Sequence, residues 1–405
     1  MDAPAPLWDE ARVAALDDEI SDPPVWTVVL AGICAFLNLY ATQPILPLLA
    51  TTFHVQKAGI SLTVTASTLG VALSAPFMGR LADRSGRRRV ILISALLLGI
   101  TSLLAATSTT LTQLICWRFL QGVFTPGVFA VTVAYINDEW NPAKAGFAMS
   151  AYVSGTVIGG FCGRAASGLI ADHAPWRLAF VALGLADLAM TVAIWRWLPP
   201  DSLPRRADAP GTLLRSAWAH LRNRALLARY AVGFCVLFSL VATFTYVTFH
   251  LAAPPFLLSP AHLGLIFAVY LVGAAATPIA GKWLDRFGSQ RMLIAAALVG
   301  ITGVLLTLKP NLWAVATGLS VCCTGVFIAQ SAVSSSIGAC AQTHRALAVG
   351  LYASFYYLGG SVGATLPAWT WKAGGWAACV ALVVAIQTVT LAVAIFFWSK
   401  PNRLL

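Results

Sequence analysis

Charged side chains are scarce in this chain, and three stand inside long apolar runs: Arg118 in LICWRFLQGVFTPG, Arg164 in GGFCGRAASGLIADH and Asp187 in VALGLADLAMTVAIW. A carboxyl among apolar residues is a candidate proton carrier, and a guanidinium there usually faces a bundle interior or a water-filled cavity. Asp187 also has the simpler reading of an acid paired with a neighbouring helix, and Arg118 that of a salt bridge or a head reaching for the interface. Polar residues in other apolar runs, namely Asn38, Tyr40, Gln43, Tyr246, Gln330, Ser334 and Tyr356, supply the hydrogen bonds and aromatic faces that line ligand pockets. Any one of them could instead satisfy an interhelical contact. His250, near the end of its run, is a titratable group of the same double reading.

The elements that position these residues must be membrane helices. Of 405 residues 59% are apolar and only 10% charged, against about 25% charged in a soluble domain, and the mean hydropathy is +0.79. A helix needs about 20 apolar residues to cross the hydrocarbon. The apolar windows allow twelve, whereas the short alternating segments of a membrane β-barrel are absent. The fold class is therefore all-α: a bundle of spans over 26–198, a polar link over 199–226 and a second bundle over 227–399, flanked by tails 1–25 and 400–405. The first span is expected over 26–50 as one helix. Within the link, Leu213, Leu214, Ala217, Trp218 and Leu221 share a helical face, which fits a helix lying in the interface.

The formal net charge of +11 would point a soluble chain toward nucleic acid. Here twenty of the 26 Lys and Arg fall on one side of the expected spans. The positive-inside rule makes that side cytoplasmic and, with an even span count, places both termini there. The first 25 residues carry seven of the fifteen acids and a single base, so the tail is expected to be solvated and the first span uncleaved. The eight cysteines form no CxxC pair or spaced metal set and are expected to pack as small apolar residues. Neither a metal nor a cofactor is implied.

Two charged islands are copies of each other. PFMGRLADRSGRRR from Pro76 and PIAGKWLDRFGSQR from Pro278 share six of fourteen positions at an offset of 202. Gly146, Gly155 and Gly159 recur as Gly350, Gly359 and Gly363, and Trp176 as Trp376. The chain is thus two halves of six spans, and parallel halves of this kind carry a site between them. Gly79 and Gly86 are expected to allow tight turns in the first island, with Gly281 and Gly288 in the second.

These residues resemble the major facilitator superfamily over about 26–399. Gly79, Asp83, Arg84, Gly86, Arg87 and Arg88 match its motif A, which Gly281, Asp285, Arg286 and Gly288 repeat in part. Arg118, Gln121 and Gly122 match motif B. Gly146, Gly155, Gly159, Gly160 and Gly163 resemble motif C of twelve-span drug/proton antiporters, with Gly160 in place of the proline and Arg164 in place of the last glycine. Together with LYATQPILPLLA from Leu39, the chain looks most like the YnfM-like branch of exporters. The resemblance implies two pseudo-symmetric six-helix bundles and alternating access. It further implies that Asp83 faces the start of span 11 near Thr343, Arg345 and Ala346 as a gate latch, and that spans 1, 4, 7 and 10 line the cavity. Asp138 and Glu139 are expected as cytoplasmic-rim charges, with a gate role toward Arg345 as the alternative.

The expected activity is secondary active transport, proton-coupled export of a small organic compound through the inner membrane. Import or uniport of a small metabolite such as a sugar is the alternative. Few fixed charges among many aromatics favour a neutral, cationic or amphipathic solute. The expected partners are the substrate, protons and the bilayer, with the chain a monomer and no nucleic acid bound. Gly359-Gly360-Ser361-Val362-Gly363 spells the GxSxG of nucleophilic serines. Its glycines are the second-half copies of Gly155 and Gly159, and no base is suggested nearby, so an enzyme is not expected.

Overall fold

The computed structural model describes residues 23–201, 212–340 and 345–398. Among them all regular structure is helical. The first span comprises α1 (Val25–Leu37), a 3-10 turn at Gln43–Ile45 and α2 (Leu46–Thr52). It is followed by α3 (Lys57–Ser85), α4 (Arg87–Ala106), α5 (Leu111–Glu139), α6 (Pro142–His173) and α7 (Trp176–Trp197). The link holds α8 (Thr212–Arg222). In the second half come α9 (Arg224–Leu251), α10 (Pro260–Leu265) leading through a 3-10 turn into α11 (Val269–Phe287), then α12 (Ser289–Leu306), α13 (Leu312–Cys340), α14 (Arg345–Thr365) and α15 (Pro367–Phe396), the last interrupted by non-helical backbone at Gly374 and Gly375. Counting α1 with α2 and α10 with α11 as single spans gives twelve.

Helix ends follow local chemistry. Asn141 accepts from the N–H of Ala143 ahead of α6, and Asn223 from those of Ala225 and Leu226 ahead of α9, each satisfying N–H groups the helix cannot. Gly86 and Gly288 separate α3 from α4 and α11 from α12 at φ of +89° and +80°, conformations that strain any residue with a Cβ. Gly79 and Gly281 do not make turns: both lie inside helices with open space where a Cβ would stand. The expectation of a single helix over 26–50 also fails, because the helix stops at Leu37 and Pro44 and Pro47 start the next segments. Trp195, Trp313, Trp369 and Phe396 remain exposed on the outside of the bundle, as residues facing lipid do.

Each half is clamped by a stripe of glycines. Beside α1, a Cβ at Gly155, Gly159 or Gly163 would fall 2.4, 2.4 and 1.8 Å from the carbonyl oxygens of Val29, Ile33 and Leu37. In the second half, Gly359 and Gly363 meet Phe234 and Phe238 of α9 at 2.1 and 2.6 Å. Glycines four residues apart let the two backbones touch, so packing itself joins the helices in lipid. Gly146 takes no part in this stripe, with nothing near its Cβ position.

Gly163→Ala should therefore lower stability by about 1–3 kcal/mol, whereas Gly146→Ala should be neutral. Thermal midpoints of the detergent-solubilised variants check this; equal midpoints would mean that α1 and α6 are not held by close backbone contact.

Candidate functional site

The interruption of the first span takes the Asn38 and Leu39 carbonyls out of regular α-helical bonding in a buried setting, where Asn38 accepts from Ala41 N–H, Leu39 from Ser67 Oγ, and both from Arg118 of α5. Its side chain is 0% exposed. Nη1 donates to the Asn38 carbonyl at 2.7 Å and to Gln121 Oε1 at 2.5 Å, and Nη2 donates to Ser67 Oγ at 3.2 Å and to the Leu39 carbonyl. Nε donates to the Thr63 carbonyl at 3.4 Å. All five N–H groups are used, each on a neutral acceptor. The guanidinium thus serves as a cap for a broken helix, and the salt bridge considered from the sequence is not formed.

Asn38, the C-cap of α1, is held from the opposite side by Asp187 of α7. Asn38 Nδ2 donates to Asp187 Oδ2 at 2.5 Å, while Ser102 of α4 donates to Asn38 Oδ1 at 2.9 Å. Asp187 is 0% exposed. Its Oδ1 receives no donor, and the Cys34 thiol lies beside the carboxyl group. One residue at the break therefore links the buried carboxyl to the buried guanidinium: the amide goes to Asp187 and the carbonyl to Arg118. At the offset of 200 that relates Trp176 to Trp376, Gln387 replaces the acid.

Arg164 of α6 lies where the halves meet and is 3% exposed. Its Nε donates to Gln43 Oε1 at 2.8 Å and Nη1 to the Gly160 carbonyl at 2.6 Å. The guanidinium carbon stands 4.8 Å from the ring centres of Tyr40 and Phe267 and 4.7 Å from that of Tyr270. Gln43 continues across the junction, donating to Thr245 Oγ1 of α9 at 3.1 Å.

The remaining pocket candidates separate into two groups. Tyr356 lies in a line of rings with Tyr352 and Tyr357, which reaches Phe129 of the first half, and Tyr352 donates to Gln330 Oε1 at 2.7 Å. Ser334 is exposed and bonds its own helix at the Gln330 carbonyl. Tyr246 instead closes a contact, donating to the Ala364 carbonyl at 3.0 Å beside Trp371. His250 stacks on Trp376 at 5.4 Å.

At the end of the bundle that carries the basic island, Arg87 pairs with Asp138 and, at 3.6 Å, with Asp83. Asp138 is thus tied within its own half. Arg88 Nη2 donates to the Trp195 carbonyl at 2.6 Å. Asp201 carries no weight when the sequence is read alone, yet its carboxylate accepts from the backbone N–H groups of Arg87 and Arg88 at 2.6 and 3.0 Å. It caps α4 and binds the start of the link to the first half; the only hint was an acid directly after Pro199-Pro200. In the second copy Gln290 donates to the Ala394 carbonyl at 2.8 Å, and Trp398 donates to Ser289 Oγ at 3.1 Å. Thr343 lies outside the described residues, as do the side chains of Asp285, Arg345 and Ala346, so the expected Asp83 latch falls there.

At the opposite end the halves are joined by hydroxyls. Thr65 meets Thr365 at 2.5 Å, Thr68 meets Ser361 at 2.9 Å, and Ser259 donates to Asp172 at 3.2 Å. Ser361 also donates to the Tyr357 carbonyl at 3.0 Å, so the serine of the GxSxG string is a contact between halves. A cavity of about 560 Å³ opens beyond this seam, with Lys57, Phe249, Trp371 and Lys372 among its lining.

Arg118→Lys should cost at least about 2 kcal/mol, because an ammonium cannot reach both carbonyls at the break and a buried acceptor left unmade costs about 1–3 kcal/mol. A thermal midpoint equal to that of the parent would show that the break does not depend on the guanidinium. Asp201→Ala removes a cap and its charge at a helix start, with an expected loss of about 1 kcal/mol; an unchanged melt would remove Asp201 from the frame of the first half.

The sequence matches the family model described as Major Facilitator Superfamily over residues 28–256 and 239–404. It is 34% identical to the inner membrane transport protein YnfM of Escherichia coli strain K12, over 90% of this chain and 87% of that protein. It is 32% identical to the MFS-type transporter YybF of Bacillus subtilis strain 168, over 89% and 90%. Among solved structures, a point mutant of the nucleoside transporter NupG superposes with a TM-score of 0.77 at 14% identity, over 93% of this chain and all of that one. The two glycine-clamped halves of six spans and these matches agree, and the chain belongs to the Major Facilitator Superfamily as a multi-pass membrane transporter.

Proposed function

We propose that this transporter exports a small organic compound by alternating access and is driven by protons moving the other way. The observation that carries the reading is the buried Asp187–Asn38 contact at the break of the first span. A charged carboxylate is costly in this setting, and Oδ1 can hold a proton without displacing a donor. Protonation would weaken the pull of the carboxylate on Asn38, whose carbonyl is one of the groups Arg118 holds. The proton is thus coupled to the segment on which Tyr40 and Gln43 sit, and through Gln43 to the second half. Resemblance of the glycine stripe to motif C supports export.

In this reading the end with Arg84, Arg87 and Arg88 is cytoplasmic, the membrane is the inner membrane, and the chain acts as a monomer. The hydroxyl seam then closes the outer side. Asp83, Arg84, Gly86, Arg87 and Arg88 form the cytoplasmic gate region, and the second copy at Gly281, Asp285, Arg286 and Gly288 forms scaffold and partial latch.

The test is transport in proteoliposomes across a metabolite and drug panel with an imposed pH gradient. Parent protein should drive accumulation, and Asp187→Asn should reduce it to the level of vesicles without a gradient while retaining exchange of substrate for substrate. Gradient-driven accumulation by Asp187→Asn equal to the parent would reject Asp187 as the coupling group, and gradient-independent transport of every substrate would reject proton coupling.

A further inference from the structure

We propose that Arg164 is the anchor for an amphipathic organic anion carrying one carboxylate, whose apolar body packs on Tyr40, Phe267 and Tyr270. The inference rests on the transport reading of the junction between the halves and names its substrate class. The two buried arginines of the first half are in different states of satisfaction. Arg118 uses five N–H groups on five acceptors. Arg164 uses two, on Gln43 and Gly160. No carboxylate pairs with Arg164 among the described residues. The faces of three rings lie within 4.8 Å of its guanidinium carbon.

That arrangement suits exchange. Ring faces attract a guanidinium without engaging its N–H groups in hydrogen bonds, and two of the rings, Phe267 and Tyr270, belong to the opposite half. Parting of the halves removes them from Arg164 and frees a fork of N–H groups that matches a carboxylate in two parallel bonds. The same rings then offer the apolar body a surface. The residues alone favoured a neutral, cationic or amphipathic solute; an unsaturated guanidinium at the junction turns the choice toward an amphipathic one with a single negative charge. Gly160 contributes by its size as well as its carbonyl, since a Cβ there would lie 3.3 Å from Nη1 of Arg164.

The experiment uses the full chain in lipid nanodiscs and matched probes: the carboxylate, primary amide and primary amine built on phenyl, naphthyl and octyl bodies. Thermal midpoint and quenching of tryptophan emission report binding. At least one carboxylate should bind roughly 30-fold or more tighter than its own amide and amine. Arg164→Gln should abolish that preference, and Arg164→Lys should weaken the carboxylate while keeping its order over the amide. The proposal is overturned if no carboxylate exceeds its amide in the parent protein, or if Arg164→Gln keeps the preference. Should Arg164→Gln fail to fold, the parent comparison and Arg164→Lys decide, the latter overturning the proposal if amide and carboxylate then bind alike. The same probes in vesicles separate this inference from proton coupling: a carboxylate preference that persists where a pH gradient drives nothing would remove the coupling and leave the anion site.

Discussion

A broken helix in a membrane needs partners for its freed carbonyls, since no water in the hydrocarbon will supply them. Here the first span stops at Leu37 and Arg118 binds the carbonyls of both Asn38 and Leu39, beside Ala41 N–H on the first and Ser67 Oγ on the second. The position of the arginine as the eighth residue of α5, the contact of α5 with Ser67 of α3 and the hold of Asp187 on Asn38 all meet at that interruption. A guanidinium suits the task because it projects five donors in a fixed plane. An expensive charge is retained because several neutral acceptors surround it, with no acid required.

The same constraint accounts for the asymmetry of the two halves. In the second half α9, the counterpart of the first span, runs unbroken from Arg224 to Leu251, so it frees no carbonyls at that place, and α13 carries no arginine to meet them. Gln387 stands at the place of Asp187 for a related reason: without a polar break opposite, a charge there would have no purpose. What duplication kept is the frame, namely the glycine contacts and the positive-φ turns at Gly86 and Gly288. What it did not keep is the polar chain through Asn38.

Much of this frame is legible from the residues. Glycines at intervals of four announce backbone contact, and the repeat of Gly155 and Gly159 as Gly359 and Gly363 announces that both halves use it. Gly79 and Gly281 mislead because a glycine in a charged island fits a turn or a helix equally well, and only the helix length decides. The break is harder to see, since Ala41 to Leu49 is apolar enough to read as one span; Pro44 and Pro47 are the available signal. The partners of Arg118 and the role of Asp201 are beyond reach for a different reason. A carbonyl carries no residue signature, and Asp201 acts on a helix start 114 positions earlier.

The hydroxyl seam between α3 and α14 has a mechanical meaning of its own. Within each half, helices locked by glycine stripes cannot slide without backbone collision, so every large displacement must occur along surfaces that tolerate separation. Thr65, Thr68, Ser361 and Thr365 form such a surface. Ser361 also has the Tyr357 carbonyl to bond, and arriving water can take the place of each lost partner. Parting along this seam would exchange one set of hydrogen bonds for another of similar worth, as in a wettable zipper.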